Sequence, residues 1–369
     1  MNVKGVCAPE FDEIKKIFQN YFNEKIEYGA NFTVVKQGSI LINLFGGSKN
    51  NHKKWDENTI VNTFSLSKGI YAACIAKLIN EAQIDIEKDI SYYWPEFHQG
   101  IKVKHLLAHQ SGFYRFKRKL DNKDLLNFEK ISSCLIGQSG DHKPGLETYY
   151  HAKTHGYLVE NLIRKVTNKT LKEYFKENFK TRYDLNFCFG FEEKDFENVA
   201  DLIEDKKNDQ NNADEFNAFN NPEHDILFYN TKEWRLAGVP SMGGHGSSLA
   251  VAKLYDILAN DLMSDNNKVI RKNKFQEILT QTSSKMDNSL KLPIRWTYSG
   301  FILRGGWMFG KNKENFGHNG WGGSLGFGDP IHGLGISYVT RKINSGMKAD
   351  NRSLYLIKKI YEILDKKNI

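Results

Sequence analysis

Cysteine is scarce in this chain, with 4 residues among 369. Cys7, Cys74, Cys134 and Cys188 lie far apart and no Cys-x-x-Cys spacing joins them, so neither a disulfide framework nor a cysteine-held zinc site is indicated. Free thiols in a reducing compartment are the expectation. Long apolar runs are lacking as well. None approaches the length that spans a bilayer, and the opening MNVKGVCAPEFDEIKK has no apolar stretch of the kind a secretory signal carries. An integral membrane segment is therefore not expected, and a cytoplasmic address is. There is no internal repeat and no long low-complexity tract. The net charge is +8, yet the lysines are spread along the chain and alternate with Asp, Glu and Asn. The densest patch, RFKRK at 115–119, is short and runs straight into LDNKD. It reads as a solvated loop, so no nucleic-acid partner is expected. A mild attraction for anionic substrates or surfaces is all that this charge supports.

With 40% hydrophobic and 13% aromatic residues, the chain can bury a large core, in one big domain or two interleaved ones. EFDEIKKIFQNYFNEKI carries Phe11, Ile14, Phe18 and Tyr21 at helical spacing, the pattern of an amphipathic first helix. ANFTVVKQGSILINLFGG alternates into two strands joined at Gln37-Gly38, a hairpin. From about 65 to 280 the pattern is mostly helical, with a polar, Asn-rich loop at 201–222. Strand signals return at 297–341, and SLYLIKKIYEILDKK closes as an amphipathic helix. Both ends must meet in one antiparallel sheet covered by helices. The expected class is α+β: residues 1–64 together with 290–369 form a sheet lobe, residues 65–289 a mainly helical lobe, and a site lies at the seam.

TFSLSKGIYAA at 63–73 raises the chemical question. A serine hydroxyl is a poor nucleophile until a base takes its proton. Ser65 and Lys68 stand three apart where a strong helical pattern begins, so they share a face, and a helix N-terminus favours developing negative charge. Spacing alone leaves open a surface serine beside a solvated lysine. A second such pair, Ser345 and Lys348, falls in the loop-like stretch SGMKAD. To act as a base, Lys68 must be buried or sit beside another cation. A tyrosine can relay the proton if lysine lowers its pKa. Tyr149 and Tyr150 follow the Pro144-Gly145 turn just before a helical pattern, although both read equally as core or rim aromatics. His151 and His155 lie one helical turn apart, but no glutamate sits between them in the HExxH pattern and no third ligand suggests itself, so no metal is expected. The glycine-dense FGHNGWGGSLGFGDP at 316–330 lacks the lysine and the spacing of a phosphate-binding loop. It reads as an edge strand whose backbone N–H groups face a substrate carbonyl.

Together these stretches resemble the serine β-lactamase and penicillin-binding-protein superfamily, in its esterase-like branch of family VIII carboxylesterases and β-lactamase-related hydrolases. Ser65-Leu66-Ser67-Lys68 is similar to the Ser-x-x-Lys box. Tyr150-His151-Ala152 looks like the second box in its Tyr-His-Ala form, and His318-Asn319-Gly320 like the Lys-Thr-Gly box in its His-x-Gly form. YWPEF at 93–97, HLLAHQSGF at 105–113, WRLAGVP at 234–240 and HGSSLAVAKLYDILA at 245–259 extend the resemblance over nearly the full chain. It implies a β-lactamase/transpeptidase-like fold and a covalent acyl-enzyme on Ser65. Lys68 and Tyr150 are implied as the general base/acid pair: Tyr150 helps deprotonate Ser65 and protonates the leaving group, and Lys68 holds the tyrosinate and shares its proton. His318, Asn319, Gly320, Trp321, Gly322 and His151 are implied to form the substrate and oxyanion region. His109, His142 and His332 receive no role, and no cofactor is implied.

Two departures bear on substrate. Where β-lactamases carry an Asn that holds the drug's amide, Ala152 has no polar group. Where they carry a Lys that favours the drug's carboxylate, His318 is mostly neutral at pH 7. Losing a charge-assisted contact costs about 1.5–3 kcal/mol, so small-molecule esters are expected as substrates ahead of lactams. A β-lactamase or D-amino-acid peptidase is the alternative of the same superfamily, and a non-catalytic scaffold the alternative of another class. The loop at 113–145 and the Asn-rich stretch are expected to shape the acyl and alcohol sites.

Overall fold

The computed structural model describes residues 2–204, 217–260, 277–279, 282–344 and 350–367. Ser345, Lys348 and residues 205–216 of the Asn-rich stretch lie outside them. The hairpin forms at the predicted place. Strand β2 (Gly29–Lys36) pairs with β3 (Ser39–Gly47), and Lys36 faces Ser39 across a two-residue turn. Gln37 and Gly38 have φ of 49° and 79°, the left-handed pair that matches the twist of its strands. A short strand β1 (Lys4–Cys7) adds to the outside of β3. Helix α1 (Asp12–Asn23) buries Ile14, Phe18, Tyr21 and Phe22 on one side, with Phe11 just ahead of it, as its 3.6-residue period demands.

The chain then crosses through β4 (Val61–Asn62) into helix α2 (Leu66–Asn80). Every residue from Leu66 to Leu78 is buried, which is why this helix shows no polar face and runs through the middle of the molecule. Helices α3 (Phe128–Gly137) and α4 (Thr154–Thr167) pack in the helical region around it. The stretch at 113–145, expected as a loop, therefore holds a helix in its second half. Its Asn127 side chain caps that helix by accepting from the Lys130 N–H. Strands β5 (Phe187–Phe189) and β6 (Gly244–Gly246) join β4 in a three-stranded sheet of order β4-β6-β5.

Helix α5 (Ser248–Asn260) returns to the main sheet, which β7 (Thr282–Asp287), β8 (Leu292–Thr297), β9 (Ile302–Leu303), β10 (Phe316–Asn319), β11 (Leu325–Asp329) and β12 (Leu334–Thr340) complete. Its nine strands run in the order β1-β3-β2-β12-β11-β10-β9-β8-β7, antiparallel throughout. Helix α6 (Asn351–Lys367) closes the described chain and packs against α1. The sheet lobe thus reaches further back than the boundary expected at residue 290, since α5 and β7 both belong to it. Glycine lets α5 approach: a Cβ on Gly326 would stand 2.3 Å from the Val251 side chain. Periodicity marks α5 as a helix but is silent about which lobe it covers.

Strand β10 also departs from expectation, for it is an interior strand. Only its first half is covered on the β9 side, where Ile302 and Leu303 face Gly317 and Phe316. His318 and Asn319 pair with β11 alone, so the open edge is confined to the end that meets α2. No helix among the described residues is long and apolar enough to cross a membrane.

A buried ionic knot ties the two chain ends together. The Arg352 guanidinium donates to Glu27 Oε2 at 2.6 Å, to Asp350 Oδ2 at 2.6 Å, and to the carbonyls of Gly322 and Lys342 at 2.9 and 3.0 Å. Tyr338 and Thr340 hydroxyls and the N–H groups of Tyr28 and Gly29 complete the ring of donors on Glu27. Removing one partner of such a pair strands the other charge in a dry interior. Arg352→Met is accordingly expected to lose about 3–5 kcal/mol in urea unfolding. A loss within the ~1 kcal/mol range of exposed pairs would mean that water reaches the knot.

Candidate active site

Ser65 stands at the N-terminus of α2, directly after a strained residue. Phe64 has φ of 48°, a left-handed conformation that costs a bulky residue about 1–3 kcal/mol. Its ring is held edge-on between Tyr229 at 5.4 Å and Trp321 at 5.1 Å, and the Thr63 N–H is fixed on the Gly244 carbonyl at 2.9 Å. The kink turns the chain from β4 into the helix and leaves Ser65 partly exposed between the lobes.

Lys68, one turn later, is fully buried. Its Nζ lies 3.1 Å from Ser65 Oγ, 2.8 Å from the Ala152 carbonyl and 2.9 Å from the Ser241 carbonyl. Burial alone holds its pKa well below the ordinary lysine range, because desolvation penalises the ammonium. Nζ donates to all three oxygens, and the free-amine form that burial favours has a lone pair with which to take the serine proton.

Tyr150 is the tyrosine that faces this pair. Its hydroxyl interacts with Ser65, and Lys68 Nζ lies 5.2 Å from its ring centre. Tyr149 points elsewhere, stacked on Tyr114 at 4.4 Å. The expected lowering of the Tyr150 pKa by lysine does not occur. Burial dominates and pushes it up, with the Ser65 hydrogen bond a smaller opposing influence. The phenol therefore keeps its proton.

The end of β10 meets the α2 N-terminus at van der Waals limits: a Cβ on Gly320 would sit 2.1 Å from the Thr63 carbonyl oxygen. Only glycine fits, and the approach carries Trp321 up to the Ser65 turn. Among the described residues, no acceptor takes the backbone N–H of Ser65 or of Trp321. The Trp321 ring stacks on His224 at 4.4 Å. Gly322 has φ of 83°, and its carbonyl is the one that Arg352 holds. Asn319 gives its carbonyl to His318 Nδ1 at 2.7 Å, so that nitrogen carries the hydrogen. His318 Nε2 is then a bare acceptor, buried and without a partner. Burial pushes the His318 pKa well down, which keeps the ring neutral.

His151 does not join this group. Its Nδ1 donates to the Tyr149 carbonyl at 2.6 Å and its Nε2 accepts from Ser111 Oγ at 2.7 Å. Both nitrogens are occupied, and burial pushes its pKa down to about 3. His155 is likewise engaged, with Nδ1 2.6 Å from the Tyr71 hydroxyl. Among the described residues no cluster of His, Cys, Asp or Glu is arranged to hold a metal.

Sequence reasoning missed several neighbours. Ser241 supplies the third oxygen to Lys68, and Phe219 lies 6.1 Å from the Tyr150 ring. Arg304 stands over Trp307 at 5.0 Å and acts electrostatically on both Tyr150 and His318. Of these, Phe219 lies in the Asn-rich stretch expected to shape the substrate sites, and Ser241 falls one residue beyond the stretch ending at Pro240.

These assignments fix the sign of a pH dependence. A Lys68 pKa lowered by burial means that the free amine forms at lower pH than it would in solvent, and is lost as pH falls through that pKa. Hydrolysis is expected to show an acid limb with its midpoint well below the ordinary lysine value of about 10.4. A limb near 10 in a profile of kcat/KM against pH would show that Lys68 is solvated.

Comparison with known proteins bears on the family and the fold. A family model described as beta-lactamase matches residues 14–358. The crystal structure of a family VIII carboxylesterase superposes with a TM-score of 0.91 at 29% identity, covering 99% of this chain and 100% of that one. A penicillin-binding-protein homologue from Caulobacter crescentus gives the same TM-score at 27% identity, covering 99% and 100%. The esterase/beta-lactamase LipL of Mycobacterium tuberculosis is 24% identical over 365 residues, 93% of this chain and 84% of that protein. This chain belongs to the beta-lactamase family, as a serine hydrolase with the β-lactamase/transpeptidase-like fold and a likeness to its carboxylesterases.

Proposed function

We propose that the protein hydrolyses short-chain carboxylic esters through an acyl-enzyme on Ser65. The observation that carries this reading is the buried Lys68 Nζ, 3.1 Å from Ser65 Oγ, where desolvation favours the free amine. Ser65 Oγ attacks the ester carbonyl carbon while its proton passes to Lys68 Nζ. The N–H groups of Ser65 and Trp321 hold the oxyanion, a contribution typically of about 2.7–4 kcal/mol per donor. When the C–O bond breaks, the leaving alkoxide takes the Tyr150 proton, and the Lys68 ammonium returns one to the phenolate. Water then attacks the acyl group by the same route in reverse and restores the serine.

Ester preference rests on His318. A cationic lysine at this position would attract a substrate carboxylate, whereas a neutral imidazole presenting a bare Nε2 repels one. A second reading, hydrolysis of a carboxylate-bearing lactam or D-amino-acid amide, has one observation in its favour. Arg304 is a cation near Tyr150 and His318 that has no carboxylate within ion-pair distance among the described residues.

Purified protein and its Ser65→Ala variant, compared on p-nitrophenyl acetate, p-nitrophenyl butyrate and a chromogenic cephalosporin, separate the readings. Ester turnover should fall by about a thousandfold or more on loss of the nucleophile, with little cephalosporin cleavage by either protein. Fast, Ser65-dependent cephalosporin cleavage would favour the second reading instead. Activity on none of the three would reject the ester reading.

A further inference from the structure

Tyr150 belongs to no helix or strand, since α4 begins only at Thr154. A residue in such a segment has no ladder of backbone bonds to hold it, yet a general acid must stay within hydrogen-bond reach of its target. Three consecutive backbone N–H groups around it are nevertheless captured. That of Tyr149 donates to the His109 carbonyl at 3.1 Å. That of Tyr150 donates to Asp287 Oδ1 at 3.1 Å, and that of His151 to His109 Nδ1 at 3.0 Å. Two residues, 178 positions apart (287 − 109), therefore bracket the tyrosine from both sides.

Each is itself immobilised. Asp287 Oδ1 also accepts the N–H groups of Ser289 and Leu290, both at 3.0 Å. His109 is fully buried in the left-handed region at φ 59°. Its ring stacks on His155 at 4.1 Å and meets Trp296 at 4.0 Å. Because Nδ1 accepts an N–H, it carries no hydrogen, and the neutral ring has its proton on Nε2. Trp296 in turn stacks on the Tyr150 ring at 5.7 Å, nearly parallel at 10°. The same small group thus holds the backbone and the ring of Tyr150.

We propose that His109 and Asp287 are positioning residues that aim the Tyr150 hydroxyl at the leaving group. The proposal rests on reading Tyr150 as the proton donor of ester hydrolysis. A displacement of about 1 Å in a reacting group can cost a hundredfold in rate, and three hydrogen bonds from a rigid frame are what oppose such a displacement here.

Leaving-group dependence separates positioning from general damage. A p-nitrophenolate leaves with little help from an acid, whereas an ethoxide needs the proton. His109→Gly tolerates the left-handed backbone but removes the acceptor. It should lower kcat on ethyl butyrate about a hundredfold while lowering it on p-nitrophenyl butyrate by less than about tenfold, with KM for both nearly unchanged. His109→Asn also tolerates that backbone and carries an oxygen where Nδ1 stood, so it should recover most of the ethyl butyrate rate. Equal losses on both esters, or no recovery with Asn, would overturn the clamp. If His109→Gly does not fold, Asp287→Ala is read for the same split, and a uniform loss there overturns it too. Tyr150→Phe is the control for the underlying reading. If it shows no leaving-group selectivity, Tyr150 is not the acid. If it does and the His109 and Asp287 variants do not, the clamp alone fails.

Discussion

Taking the amine of Lys68 out of water is the constraint on which this active site depends. An isolated buried ammonium is costly, and the molecule answers by surrounding the nitrogen with oxygens from three separate segments: Ser65, Ala152 and Ser241. Those segments are brought together only by the finished fold. The requirement to bury one nitrogen and still reach a half-exposed hydroxyl places α2 at the centre of the molecule, with its first residue at the surface of the seam. The same burial keeps Tyr150 and His318 neutral. One choice of environment thus pushes three groups towards their neutral forms.

The surrounding architecture converts that environment into geometry. Phe64 accepts a left-handed backbone so that Ser65 can leave the helix axis, and the aromatic rings on either side hold it there. Gly320 lets β10 touch the carbonyl of Thr63, which no side chain would permit. The nine-stranded sheet supplies a rigid floor, yet β10 remains uncovered over its last two residues, where an incoming carbonyl would need room. The strain at Phe64 and the close approach at Gly320 are sustained by the packing around them.

Much of this could be read in the sequence because it is written in local patterns. The Gln37-Gly38 hairpin, the apolar face of α1 and the helix opening at Ser65 follow from spacing and turn chemistry within a few residues. Ser65 and Lys68 share a helical turn, so their contact is local as well. Contacts between backbone groups and distant side chains were not legible. His109 and Asp287 act through a carbonyl, a ring nitrogen and a carboxylate that accept main-chain N–H groups, and Ser241 acts through its own carbonyl on Lys68, and main-chain atoms leave no mark on residue identity. His151 misled for the opposite reason: the motif put it beside Tyr150, but the chain turns between them and its ring faces Ser111. The lobe boundary slipped because a helical period says what α5 is, not which surface it covers.

Helix α6 contributes no side chain to the site, yet Arg352 at its start holds the carbonyl of Gly322, next to the N–H of Trp321. Biosynthesis proceeds in the opposite sense to the assembly of this turn. Ser65, Lys68, Tyr150 and His318 are all polymerised before Arg352, and until that residue is added and folded back the loop between β10 and β11 lacks its anchor. A nascent chain that has not reached Arg352 therefore carries Ser65 and Lys68 beside a Gly322 carbonyl that the guanidinium does not yet hold.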